Sequence, residues 1–317
     1  MVAKPDPHWT GIDWREHLRW VDVDGIPANV VDIGQGPPLL FVHGLSGSWQ
    51  NWLEQLPAFS RDHRCIAMDL PGFGESPMPE EKITISGYGR WLDKLMDALG
   101  LDGAAVVGNS MGGFIAAETA IKFPHRVERL VLVSAAGLSI ERQRNDVVLR
   151  ALEVTENVAQ FAFAHALART SWLVKRPRGR KLMLWFVVAH PEELTPAMAH
   201  EQARGAGKPG FVPALDALTS YPIRDRLGDI GCPTLIVWGP KDMLVPIKDA
   251  HEFDRLIPDS RLVVYEDTGH VAMIERPERF NQDLREFLAS QPDSERERVG
   301  AAAAQQDGEP AGVDAEE

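Results

Sequence analysis

The sequence predicts an α/β protein, a mostly parallel sheet with helices on both faces. Two observations carry that prediction. From Leu18 to Gly137 short β-rich runs alternate with helical patterns, and the same alternation returns from Thr234 to the region of Pro277. At 317 residues, 44% hydrophobic and 25% charged, the chain has a globular composition, which excludes a coiled coil, a collagen-like chain and a fully disordered one.

The elements follow in order. Leu18 to Val23 and Ala28 to Ile33 flank Asp24-Gly25, a turn signal between two alternating segments, and read as an antiparallel hairpin. Leu39 to Val42, Arg64 to Met68, Ala104 to Val107 and Leu130 to Val133 are the short apolar runs of strands covered on both faces. Trp91, Leu92, Leu95, Met96 and Leu99 form one stripe of a helix, and Phe114 to Ala120 is helical too. Thr234 to Trp238 and Leu262 to Tyr265 are two more buried strands. Phe280, Leu284, Phe287 and Leu288 give a last amphipathic helix after Pro277.

Between Leu138 and Gly228 the strand signal disappears. This helical stretch is broken by Pro177, Pro191, Pro196, Pro209 and Pro213 and holds 13 basic and nine acidic residues. Since open parallel sheets bind ligands at the carboxyl edge of their strands, residues 138–228 are expected to form a lid over it. The core is then 1–137 and 229–290. Residues 291–317, with eight acids, two bases and no apolar residue larger than valine, are expected to be a disordered acidic tail.

Charge argues against a nucleic-acid protein: 33 Lys and Arg against 46 Asp and Glu leave a net of -13. No apolar run approaches a membrane span, and Met1 to Thr10 lacks the basic start and apolar stretch of a secretory signal, so a cytoplasmic location is expected. Cys65 and Cys232 read as buried reduced thiols, and two cysteines are too few for a structural zinc site.

The strongest chemical signal is Gly108-Asn109-Ser110-Met111-Gly112, followed by Gly113, between a strand and a helix. A serine forced into a tight strand-to-helix turn needs small flanking residues, and such a turn exposes its hydroxyl at the sheet edge. A serine hydroxyl needs a base within reach. His270 follows the strand Leu262 to Tyr265 by a short loop and should reach the same edge, whereas His63 and His125 precede strands and His251 lies in a helix. His165, His190 and His200 belong to the lid. Asp242, in the loop after Thr234 to Trp238, is the acid to orient the imidazole. Ser134, Ala135 and Ala136 offer no acid at the end of the preceding strand. Asp69 opens a turn rich in glycine and proline through Ser76 and reads as a turn-stabilising residue. For an oxyanion, the backbone N–H of Met111 is one donor and that of Leu45, in the loop from His43 to Ser48, is the other. His43 is expected to hold that loop. Trp49, Met243, Trp172 and Trp185 are expected to line the substrate pocket, with Phe161, Phe163 and Phe186 also in the lid. Lys175 to Lys181 puts five positive charges in seven residues and reads as a solvated loop with some attraction for anions.

The order Ser110, Asp242, His270, with His43-Gly44 before and the Asp69-to-Ser76 turn between, resembles the α/β-hydrolase superfamily with a helical cap between the sixth and seventh strands. The resemblance implies an eight-stranded sheet and a Ser-His-Asp hydrolase that needs no metal or organic cofactor. Haloalkane dehalogenases and epoxide hydrolases carry aspartate where Ser110 stands. The elbow and the run ending Ala135-Ala136-Gly137 are similar to meta-cleavage-product hydrolases. The oxyanion loop and Val271 depart from them, which favours a carboxylic ester of a small or medium apolar acyl or aryl group. Carbon–carbon hydrolysis of ring-fission products and a small-molecule receptor retaining the triad are the alternatives. The expected partner is a small ester-like molecule, and the expected state a monomer or homodimer.

Overall fold

The computed structural model describes residues 8–139 and 171–290. Eight strands, β1 (Leu18–Val23), β2 (Ile26–Ile33), β3 (Pro38–Val42), β4 (Arg64–Met68), β5 (Ala104–Asn109), β6 (Val127–Val133), β7 (Thr234–Trp238) and β8 (Ser260–Val264), form one sheet in the order β1-β2-β4-β3-β5-β6-β7-β8. The pairs β1·β2 and β2·β4 are antiparallel, and all others are parallel. Asp24 (φ 53°) and Gly25 (φ 82°) make the two-residue turn that joins Val23 to its partner Ile26. Two successive positive φ values match the twist of a hairpin, and aspartate and glycine tolerate them.

The strands alternate their side chains between two cores. Leu40, Val42, Ile66, Met68, Val106, Leu130, Leu132, Ile236 and Trp238 enter one, against helices α1 (Ile85–Ala98) and α2 (Met111–Lys122). Leu39, Phe41, Cys65, Ala67, Val107, Val131, Val133, Leu235 and Val237 face the other. The period of two explains why these runs are apolar throughout. Strands β1, β4 and β7 have the bounds expected from sequence. Strand β8 begins two residues early because it is an edge strand whose polar start is satisfied: Ser260 pairs with Thr234, and its hydroxyl donates to Asp254 Oδ1 at 2.9 Å. Both cysteines are free, and burial pushes the Cys232 thiol up to about 11.

Between β6 and β7 the described residues contain helices and no strand: α3 (Pro177–Leu184), α4 (Pro196–Arg204) and α5 (Phe211–Ser220) are the longer ones. After β7 come α6 (Ile247–Leu256) and, after β8, α7 (Pro277–Ala289). The basic run is helical from Pro177 on, with Lys175 and Arg176 in the turn before it and Pro177 in the first turn, where a missing N–H costs nothing. Arg180 leaves the solvated set: it is buried and donates to the carbonyls of Val174, at 2.8 Å, and Glu192, at 2.9 Å. Residues 140–170, which include Phe161, Phe163 and His165, and the tail 291–317 lie outside the described residues. No helix among the described residues is long and apolar enough to cross a membrane.

Candidate active site

Parallel strands bring their carboxyl ends to one edge, and the loops that leave it carry the candidate residues. Ser110 stands between β5 and α2 with φ 55° and ψ -117°, a conformation that costs a non-glycine residue energy and persists only where its surroundings fix it. They do so here. The Ser110 N–H donates to Val133 O at 2.9 Å, and Ser110 O accepts from Phe114 N at 3.1 Å and Ala136 N at 3.0 Å. A Cβ on Gly112 would run into the carbonyls of Val42 and His43, so the first turn of α2 lies directly against the end of β3.

That close approach places the loop after β3 beside the serine. A Cβ on Gly44 would lie 3.0 Å from the Ser110 Cβ. His43 is buried and holds the loop from inside: its Nε2 accepts from Leu70 N at 3.0 Å, so Nδ1 carries the proton it gives to Gly44 O at 2.7 Å. Burial lowers its pKa below the usual 6.5 against the pull of Asp69 and the Gly44 carbonyl, and keeps the ring neutral. The N–H groups of Leu45 and Met111 have no acceptor among the described residues.

Asp242 and His270 meet. The loop after β7 carries Asp242, whose side chain is fully buried, and His270 Nδ1 lies 2.7 Å from its Oδ2. A carboxylate only accepts, so Nδ1 carries the proton and Nε2 presents a lone pair. Asp242 Oδ1 accepts from Leu244 N at 2.8 Å and Val245 N at 2.9 Å, which fixes the acid. Between Ser110 Oγ and His270 Nε2 there is no hydrogen bond, so the pair is assembled and its link to the serine is open.

Two residues that sequence reasoning missed hold the histidine loop. Asn109, 4% exposed, donates from Nδ2 to Val133 O at 3.1 Å and to His270 O at 3.2 Å, tying the ends of β5 and β6 to the loop after β8. Its only sequence signal was its place before Ser110. Glu275 accepts from Gly269 N at 3.0 Å and from Ala189 N at 2.8 Å. Burial raises its pKa, against these backbone donors. The same stretch between β6 and β7 accepts from His270 N through Val187 O at 2.9 Å, and His190 Nε2 lies 2.9 Å from Asp267 Oδ1. Lys241, with His190, holds the Asp267 carboxyl down at about 2.

Asp69 has the structural part expected of it. Its carboxylate accepts from Trp49 N at 2.9 Å, Asn29 Nδ2 at 2.8 Å and Glu75 N at 2.9 Å. Trp49 is buried, its ring 5.3 Å from that of Trp14, and it borders a cavity that touches neither Ser110 nor His270. It is fixed by Asp69 at the backbone and by Trp14 at the ring. Met243 at 62%, Trp172 at 59% and Trp185 at 54% exposure are more than half open, and the Trp185 ring packs edge-on to Phe186 at 6.1 Å.

Comparison with known proteins agrees with this architecture. The sequence profile of the alpha/beta hydrolase fold family matches residues 37–277. The chain is 32% identical over 291 residues to the 2-hydroxy-6-oxo-2,4-heptadienoate hydrolase of Pseudomonas putida F1, covering 86% of this chain and 96% of that one. Among solved structures it resembles a serine hydrolase involved in carbazole degradation (TM-score 0.68, 27% identity, 86% of this chain and 98% of the other). It also resembles Est816, an N-acyl homoserine lactone degrading enzyme (TM-score 0.69, 25% identity, 85% and 100%). With its strand order, its strained serine turn and a match over most of its length, the chain belongs to the α/β-hydrolase family.

Proposed function

We propose that this hydrolase cleaves a neutral carboxylic ester of a small or medium apolar acyl or aryl group through an acyl-enzyme on Ser110. His270 Nε2 takes the hydroxyl proton as Oγ attacks the carbonyl carbon, and Asp242 stabilises the imidazolium. The N–H groups of Leu45 and Met111 receive the oxyanion. His270 returns the proton to the leaving alcohol as the ester C–O bond breaks, and water repeats the cycle on the acyl group. Residues 138–228 act as the cap.

The observation that carries this reading is the buried Asp242–His270 pair at the edge where Ser110 is held in a strained turn. The ester assignment rests on the side chains that border the serine loops. Asn109 precedes Ser110, and Asn51, whose Oδ1 accepts from Ser48 N, is joined to Gln202 at 2.6 Å; all three are uncharged amides, and Met243 and Leu244, which follow Asp242, are apolar. A second reading is favoured by the relatives: hydrolysis of a carbon–carbon bond in a 2-hydroxy-6-oxo-dienoate, the substrate named for the Pseudomonas putida enzyme. A panel of p-nitrophenyl acetate, p-nitrophenyl butyrate, an acyl thioester and a ring-fission dienoate separates the two. Ester turnover that Ser110→Ala abolishes, with the dienoate left intact, supports the proposal; preferential dienoate cleavage replaces it with the second reading. Absence of turnover on all of them favours a receptor.

A further inference from the structure

We propose that the cavity between the N-terminal segment, the residues from Ser48 to Leu53 and helix α4 binds a small organic ammonium ion, at a place separate from Ser110. Its volume is about 800 Å³, within the range of small-molecule sites, and none of Ser110, Leu45, Met111, Asp242 or His270 borders it. The proposal is therefore independent of the assigned catalysis.

Three indoles, Trp9, Trp14 and Trp49, form the apolar wall with Leu18 and Leu53. Trp9 Nε1 is already spent on Glu54 Oε1 at 3.0 Å and Trp14 Nε1 on Trp9 O at 3.1 Å. What these two rings offer a ligand is π surface, which attracts cations.

The charges on the wall point the same way. Asp69, 1% exposed, accepts from neutral N–H donors and has no cation against it among the described residues. Glu201 is the next most buried charge, its side chain 18% exposed. The two bases stand further out: Arg204, half exposed, is paired with Glu201, and Lys208 is 3.5 Å from Glu75. Glu201 and Glu75 are thus matched by Arg204 and Lys208, and Asp69 is the wall carboxylate without a cation among the described residues. Two wall residues also carry buried polar atoms without a partner among the described residues, Gln50 Oε1 and His200 Nδ1. Rotation about the last side-chain bond would let Gln50 accept from a ligand N–H and relieve an unmade hydrogen bond. An alkyl- or arylammonium supplies the cation, the donor and the apolar body together; a carboxylate would face Asp69.

The test is calorimetric titration of the full-length protein with benzylammonium, benzyl alcohol and benzoate. The expected result is benzylammonium binding at least about tenfold tighter than either isostere. Trp14→Ala and Gln50→Leu should each weaken it several-fold with an unchanged thermal melt, and Ser110→Ala should leave it unaltered. Two variants keep the test open should one misfold. Equal affinity for alcohol and ammonium, no binding to the wild type at millimolar concentration, or folded variants that bind normally would overturn the proposal. So would loss of binding after covalent block of Ser110, which would place the ligand at the active centre.

Discussion

The two sides of the candidate site are held by different physics. On the nucleophile side the backbone hydrogen bonds of Ser110 to Val133 and Ala136 are backed by steric contact within the core, where Gly112 leaves no room for a side chain beneath the end of β3. On the histidine side the loop hangs on hydrogen bonds, from Asn109, from Glu275 and from Val187 in the helical stretch between β6 and β7. Close packing gives a rigid site with no graded failure, whereas a hydrogen-bonded loop can be loosened one bond at a time.

The largest expected effect is therefore on the packed side. Gly112→Val would drive a branched side chain into the Val42 and His43 carbonyls. It should yield no soluble folded protein, or one that melts far below the wild type, as read by circular dichroism. Smaller in structure and large in rate is Asp242→Asn, which keeps the shape and withdraws the charge opposite His270. A fall of about 10⁴ in kcat with an unchanged melt is expected. Next comes Glu275→Gln, which turns one accepting oxygen into a donor facing the Ala189 or Gly269 N–H. Here kcat should fall about tenfold while KM and fold persist, since a misplaced base costs rate before stability. Equal loss of stability from Gly112→Val and Glu275→Gln would erase the distinction between the two sides.

The smallest effect concerns pH. His43 is kept neutral in the folded protein, with its pKa below the usual 6.5, so the unfolded chain binds the extra proton first as pH falls. Stability is full above that value and declines as pH drops from 6.5 toward the folded pKa. Urea midpoints at pH 7.5 and 5.5 should differ more for the wild type than for His43→Gln; identical pH dependence would remove His43 from the account.

Much of this was legible in the sequence because it is local. The serine turn needs only small residues at fixed spacing, and a loop at a strand's carboxyl end tells where Asp242 and His270 go. The supports were not legible, because Asn109 and His270 are 161 positions apart and Ala189 and Glu275 are 86 apart. No periodicity records such a pairing. Trp49 shows the other limit: its expected place at the pocket is read from the neighbouring catalytic loop, whereas its ring contact with Trp14, from the start of the chain, leaves no mark in the local pattern. Arg180 reads as one of five like charges and is instead a buried donor to carbonyls, a role that position in a basic run does not reveal.

The central claim is that an oriented imidazole makes one hydroxyl of this chain a nucleophile. Reaction with a fluorophosphonate, followed by peptide mapping, tests it most directly. The account predicts a single adduct on Ser110, formed more slowly by orders of magnitude in His270→Ala; an adduct at another residue, or undiminished labelling of that variant, would contradict it.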